Sequence, residues 1–144
     1  MSRLKIDISG KLLSSVSLAV RITDINYGNH TGNDAMIGLI HEARMTWLQQ
    51  YNYTELNIEG VGLIMGDIAI EFKKESFYGD ILEIKLYAGE ITKSSFDLFY
   101  TISTTRHNNP ILVAKVKSGM VCYNYNEKKI ALIPVQLLQI LKGI

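Results

Sequence analysis

The sequence predicts an α+β fold: an antiparallel sheet of about five strands curled round one long central helix, with a short C-terminal helix. Three observations lead there. The hydrophobic periodicities run strand, long helix, four strands, short helix along the chain. The four strands after the helix are joined by short turns, which favours antiparallel neighbours over crossovers. The long helix is apolar round so much of its circumference that it has to be wrapped, not merely laid on a surface. A chain of 144 residues fits one domain, residues 1–144, large enough to bury roughly 70% of its unfolded surface.

Residues 15–22 alternate, with Val16, Leu18, Val20 and Ile22 on one face of a half-buried strand. From Asn33 to Tyr51 the period changes to that of a helix. Met36, Ile40, Ala43 and Trp47 share a face, Ile37, Leu39 and Leu48 widen it, and His41 and Arg44 are left to face water. Leu63 to Phe72 reads as a strand with Ile64, Ile68, Ile70 and Phe72 inward. Tyr78-Gly79-Asp80 turns the chain into a strand over 81–87, and a further strand carries Phe96, Leu98, Tyr100 and Ile102. The turn at His107–Pro110 leads into the last strand, Ile111 to Tyr123. Pro134 opens a short helix through Leu141, since Pro suits a first helical turn.

Composition removes several functions. A net charge of +1 with 20% charged residues offers no basic field for nucleic acid. The single Cys122 precludes an internal disulfide, and its alternating context reads as a small core or interface hydrophobe. Met1 to Leu18 carries scattered charge and no apolar block, so no signal peptide is expected, and no run approaches the ~20 residues of a membrane span. A soluble cytoplasmic protein is the expectation. Three scattered His and one Cys offer no ligand spacing, so neither a metal nor another cofactor is expected.

The chemistry concentrates between strand and helix. Asp24 to Asn33 holds two Gly, three Asn, an Asp and His30, in a stretch flanked by apolar segments. Gly28 and Gly32 let a ligand approach the main chain. Thr31 or Asn33 is placed to cap the helix, and Thr31 with Asp34 has the spacing of a capping box. A helix start of this kind presents amides and about half a unit of positive charge to an anion or a developing oxyanion.

Arg21-Ile-Thr-Asp24-Ile-Asn26-Tyr-Gly-Asn-His30-Thr-Gly-Asn33, followed by His41-Glu-Ala-Arg44, resembles the loop and helix signature of the 4-hydroxybenzoyl-CoA thioesterase-like hotdog family. That signature is Arg-x-x-Asp-x-Asp-x-x-Gly-His-x-Asn-Asn, then Glu-Glu-Ala-Arg. Ile70-Glu-Phe72, Tyr78-Gly-Asp80 and Lys93-Ser-Ser95 resemble later parts of the same pattern, so the likeness spans nearly the whole chain. The resemblance implies a hotdog fold, a homodimer or dimer of dimers, and hydrolysis of an acyl-CoA or acyl-carrier thioester at a dimer-interface site.

One departure bears on the chemistry. The second Asp of Asp-x-Asp, which the resemblance implies to be nucleophile or base, is Asn26, and an amide neither takes up a proton near neutral pH nor attacks a carbonyl. Asn26 is left to orient water or the thioester. His30, at the loop-His position of the family, is the first choice of base, with Asp34 and Glu42 as the carboxylates beside it. Each has a plainer reading: His30 bracing the loop, Asp34 complementing the helix dipole, Glu42 pairing with an Arg or a partner subunit, and Asp24 holding the loop's shape.

The backbone amides of Gly32, Asn33 or Asp34 are the expected oxyanion donors, Asn33 falling where the resemblance puts the family's donor. Asp67, a carboxylate in an apolar strand, reads as buried and in need of a partner, and so as a further residue of the site. Lys73, Lys74 and Lys93 are candidates to meet the phosphates of CoA, or plain solvated lysines. Two other classes compete. Asp24-Ile-Asn26 through His30 suggests a hotdog hydratase, but the spacing is one residue too long and Pro is absent. A non-catalytic acyl-thioester binder stays open, because Asn26 is what lost chemistry would leave.

Overall fold

The computed structural model describes residues 3–144. Met1 and Ser2, the start of the segment read as lacking a signal peptide, lie outside the described residues. Strand β1 (Lys11–Ala19) leads through a turn of 3-10 helix (Ile22–Asp24) and the loop to helix α1 (Asn33–Gln49). There follow β2 (Gly62–Phe72), β3 (Ile81–Ile91), β4 (Ser95–Arg106), β5 (Asn109–Asn124), a two-residue β6 (Lys129–Ile130) and helix α2 (Val135–Lys142). The sheet order is β1-β3-β4-β5-β2, with β6 on the end of β5, and every pairing is antiparallel. The sixth strand and the 3-10 turn are the elements the periodicity did not announce, each being too short to carry a pattern.

The sheet bends round α1. Leu82, Ile84, Leu86, Leu98, Tyr100, Ile102, Val116 and Met120 face Ile40, Ala43, Trp47 and Leu48 in one core. Alternation along β3 and β4 produces this directly, since every second side chain points inward. Cys122 is fully buried in the same core, where desolvation pushes its thiol up to about 11. The β4–β5 turn places His107 and Asn108 both at positive φ, the geometry that joins two strands tightly, and Gly79 at φ 87 does the same for the Gly-Asp turn before β3. Pro134 sits one residue before α2, as its N-cap. No helix among the described residues is long and apolar enough to cross a membrane.

Expectations about faces fail at five residues, the first being Ile37, which is 42% exposed on α1 although read as part of its buried face. Ile22 is 66% exposed, because β1 ends at Ala19 and the chain tightens into the 3-10 turn, so the alternation stops at Val20. In β2 the register shifts between Met65 and Asp67. The bulge reverses the parity: Leu63 and Met65 face in before it, Ile68 and Ile70 after it, and Ile64 is turned out. Phe72 at the strand's end is exposed as well. Arg44, assigned to solvent, is only 5% exposed. Its Nε donates to Glu55 at 3.3 Å and its Nη1 to the Tyr100 hydroxyl at 3.2 Å, so the loop after α1 supplies the carboxylate that makes burial tolerable.

Candidate active site

The loop is built by its own polar side chains. Asp24, buried, takes bonds from the Arg21 amide (2.8 Å) and guanidinium (3.1 Å). Burial alone would raise this carboxyl, but the Arg21 bonds and charge hold it below the usual carboxylate range. Ile25 and Thr31 form a bridge across the loop, and the Asn26 amide donates to the His30 carbonyl at 2.9 Å. Asn26 Oδ1 in turn accepts from the Gly28 amide at 2.8 Å and the His30 amide at 3.4 Å. Asn26 is thus the residue that folds the turn, with Nδ2 unpartnered among the described residues. At Gly28 a Cβ would stand 3.2 Å from His30 Nε2, so the bare backbone lets the imidazole lie close against the turn.

Capping differs from the expectation. The N-cap of α1 is Gly32, and no side chain caps the helix. Thr31 is occupied elsewhere: its amide (2.8 Å) and hydroxyl (3.1 Å) donate to the Ser76 carbonyl, and Ser76 Oγ donates back at 2.7 Å. The Gly32 amide is spent on the Asp24 carbonyl at 2.9 Å, which removes it from the set of oxyanion donors. The amides of Asn33, Asp34 and Ala35 meet no acceptor among the described residues. Leaving the cap out is what keeps these donors open.

A cavity of about 210 Å³ opens at this helix start, lined by His30, Asn33, Met36, Phe72 and the segment Lys73–Ser76. His30 Nδ1 lies 3.3 Å from the Thr31 carbonyl. A carbonyl only accepts, so this contact places the proton on Nδ1 and leaves the Nε2 lone pair free. Glu75 Oε1 lies 3.9 Å from Nε2. The loop and helix start therefore bring together Asn26, Gly28, His30, Gly32, Asn33 and Asp34, of which His30 and Asn33 line the cavity itself.

Other candidates lie apart. Asp67 is not buried: its side chain is 65% exposed on the outer face of the sheet, bonded to Lys117 Nζ at 2.8 Å and the Gly119 amide at 2.9 Å. The β2 bulge that turns Ile64 out sets Asp67 outward too. Lys93 is exposed in the β3–β4 turn, Glu42 is exposed on α1, and neither borders the cavity. Reading the sequence missed Glu75, Ser76 and Phe72. The polar run Lys73–Ser76 between an apolar strand and a Gly-Asp turn was the one signal for Glu75 and Ser76, and the Ile70-Glu-Phe72 motif the one for Phe72; neither says which residue turns toward the loop.

Comparison with known proteins follows the same outline. The sequence profile of the thioesterase-like superfamily matches residues 20–141. No curated protein matches the chain. Among solved structures, a Pseudomonas aeruginosa protein proposed to be a thioesterase is 20% identical with a TM-score of 0.80, the match covering 89% of this chain and 97% of that one. The 1,4-dihydroxy-2-naphthoyl-CoA thioesterase of Synechocystis is 22% identical (TM-score 0.78; 88% and 93% covered). A mutant 4-hydroxybenzoyl-CoA thioesterase in complex with 4-hydroxybenzoyl-CoA is 15% identical (TM-score 0.79; 89% and 97%). These likenesses identify the architecture as the hotdog fold. With the profile running unbroken from the end of β1 through the loop, α1 and all later strands into α2, the chain belongs to the thioesterase-like superfamily.

Proposed function

We propose that this protein is an acyl-CoA thioesterase, hydrolysing its substrate to free acid and thiol with His30 as general base. The observation that carries the reading is the pairing, in one cavity, of a His with a free Nε2 and a helix start whose amides are unmet. The thioester carbonyl oxygen lies against the Asn33 and Asp34 amides, which gain strength as its charge develops. One such donor is worth about 3 kcal/mol of barrier. Nε2 takes a proton from water, whose oxygen attacks the carbonyl carbon. The C–S bond then breaks and the sulfur leaves with the proton that His30 holds. Glu75 faces that proton from 3.9 Å. Asn26 shapes the turn and offers Nδ2 to substrate, and Asp34 supports the helix start by its charge. Lys73 and Lys74, which line the cavity, suit the phosphates of the carrier.

The working unit in this proposal is a homodimer in the cytoplasm. Its support is the edge position of β2, whose unpaired backbone and outward Ile64 and Phe72 invite a second copy. The test is free-thiol release from short, medium, long and aromatic acyl-CoA substrates by wild type, His30→Ala and Asn26→Asp. Wild type is expected to turn over, and His30→Ala to lose about 10²–10⁴ in kcat. Asn26→Asp preserves both bonds that Oδ1 accepts, so it isolates the effect of a carboxylate. Turnover only in Asn26→Asp would overturn the reading in favour of a non-catalytic thioester binder.

A further inference from the structure

The connection from β2 to β3, residues 73–80, is tied at both ends and in the middle. The Lys73 and Lys74 amides donate to the Val113 carbonyl, the Ser76 carbonyl takes the Thr31 amide and hydroxyl, and the Asp80 carbonyl takes the Val20 amide. Between these ties stands Glu75, whose carbonyl meets one donor among the described residues, Arg106 at the end of β4. Arg106 Nη2 donates to that carbonyl at 2.8 Å and to Asp80 Oδ2 at 2.6 Å, and the guanidinium lies 4.9 Å over the Phe77 ring. One side chain thus grips three residues of the connection. It does so at the expense of its own hydrogen bonding, because Arg106 Nε is buried and meets no acceptor among the described residues. The peptide planes on either side of a residue set where its Cβ points, and the plane after Glu75 is the one that Arg106 fixes.

Among the residues that line the cavity, Glu75 is the only acidic one, and its Oε1 faces His30 Nε2 from 3.9 Å. Position 26, on the loop itself, holds an amide. We propose that Glu75 supplies the negative charge that position 26 lacks, and that Arg106 is a positioning residue that holds this carboxylate toward His30. The chemistry rests on the thioesterase reading. Nε2 takes its proton from the attacking water and becomes cationic, and later returns that proton to the departing sulfur. The Glu75 carboxylate stays ionised throughout and accepts no proton. It meets a charge that exists only between those two transfers, so its effect belongs to turnover and not to substrate binding. Lys73 and Lys74 border the same cavity and oppose a cation there, and Glu75 offsets them.

The experiment is a double-mutant cycle on kcat, following thiol release from acyl-CoA substrates by wild type, Glu75→Gln, Arg106→Met and the pair. Proton–nitrogen correlation spectra of the His30 ring are recorded beside it at one fixed pH. Glu75→Gln is expected to lower kcat about tenfold. Arg106→Met is expected to lower it about fivefold alone but less than about twofold once residue 75 is neutral, because its effect runs through that carboxylate. Arg106→Lys, which keeps a cationic donor for the Glu75 carbonyl and for Asp80, is expected to recover most of the loss. Glu75→Gln and Arg106→Met are both expected to move the His30 ring signals. An equal loss of kcat on Arg106→Met in both backgrounds would show a merely structural role and overturn the proposal, as would ring signals that neither change moves. Glu75 is exposed, so Glu75→Gln tests the carboxylate even where Arg106→Met fails to fold, and full kcat in that variant overturns the proposal too. Moved ring signals in a protein that releases no thiol from any substrate would support the placement and sink the hydrolytic reading. Thiol release with unmoved signals would do the reverse.

Discussion

At the start of α1 the amides of Asn33, Asp34 and Ala35 are unmet and His30 keeps one ring nitrogen free, whereas farther along the same helix Arg44, Glu55, Tyr100 and Ser118 bond to one another in a buried chain. Both regions are polar, and both lie in the groove beside β2. They differ in what their polar groups are left to do. Donors at the helix start are exposed, so leaving them open costs little, and a ligand gains all of what they offer. Around Arg44 the surroundings are apolar, so nearly every donor has to be met for the fold to stand. The proposed chemistry falls at one end and most of the stability at the other.

Mutation at each end should separate the two properties. Arg44→Ala leaves Glu55 facing His41 alone and the Tyr100 hydroxyl without its donor, and is expected to cost about 3 kcal/mol in urea unfolding. His30→Ala, which loses a half-exposed ring and one bond to a carbonyl, is expected to cost under about 0.5 kcal/mol while abolishing most turnover. Equal stability losses would show that the helix start is structural after all. A smaller effect is expected of Ser76→Ala. It removes the hydroxyl that donates to Thr31 and leaves the Ser76 carbonyl in place, so a loss of about 1 kcal/mol is expected. Because that bond ties the β2–β3 connection to the loop that carries His30, the proposed chemistry predicts that kcat falls with it. Unchanged kcat would detach the connection from the site.

The smallest effect concerns acid. Asp80 accepts from Arg106 Nη2 at 2.6 Å and from the Phe77 amide at 2.8 Å, and Arg106 also donates to the Glu75 carbonyl. Burial raises the Asp80 carboxyl, but these bonds and the Arg106 charge outweigh it and hold the group below its ordinary value. With the folded value depressed, the unfolded chain binds the proton first as pH falls. The contribution is complete above the unfolded carboxylate value of about 4 and disappears as pH drops through the lower folded one. Asp80→Asn should therefore flatten the acid limb of a stability–pH curve and leave its neutral shape alone. An acid limb identical to wild type would mean that other carboxylates, Asp24 first, carry it.

Much of this molecule is legible in its sequence. Element order, the loop as the chemical centre, the Gly-Asp turn and Cys122 in the core all follow from local pattern, because periodicity and turn chemistry act over a few residues. The misreadings have physical causes too. The β2 bulge inserts one residue, and a single insertion inverts a period of two, which misplaces Ile64, while Asp67 reads as buried only because its neighbours along the strand are apolar. Thr31 has the chemistry of a cap, but Ser76, forty-five residues away, competes for it and wins. Arg44 reads as solvent-facing until Glu55 and Tyr100 arrive from other elements.

By itself, then, the sequence determined which segments are helix or strand, where the polar loop falls, and that position 26 is an amide where the family signature has a carboxylate. Each is a property of neighbours along the chain. Only the tertiary structure decided that the α1 amides stay open, that His30 Nδ1 meets the Thr31 carbonyl, that Glu75 stands near Nε2, and that Arg44 is buried against Glu55 and Tyr100. Those outcomes depend on which distant group reaches a donor or acceptor first, and that contest is settled when the sheet closes round the helix.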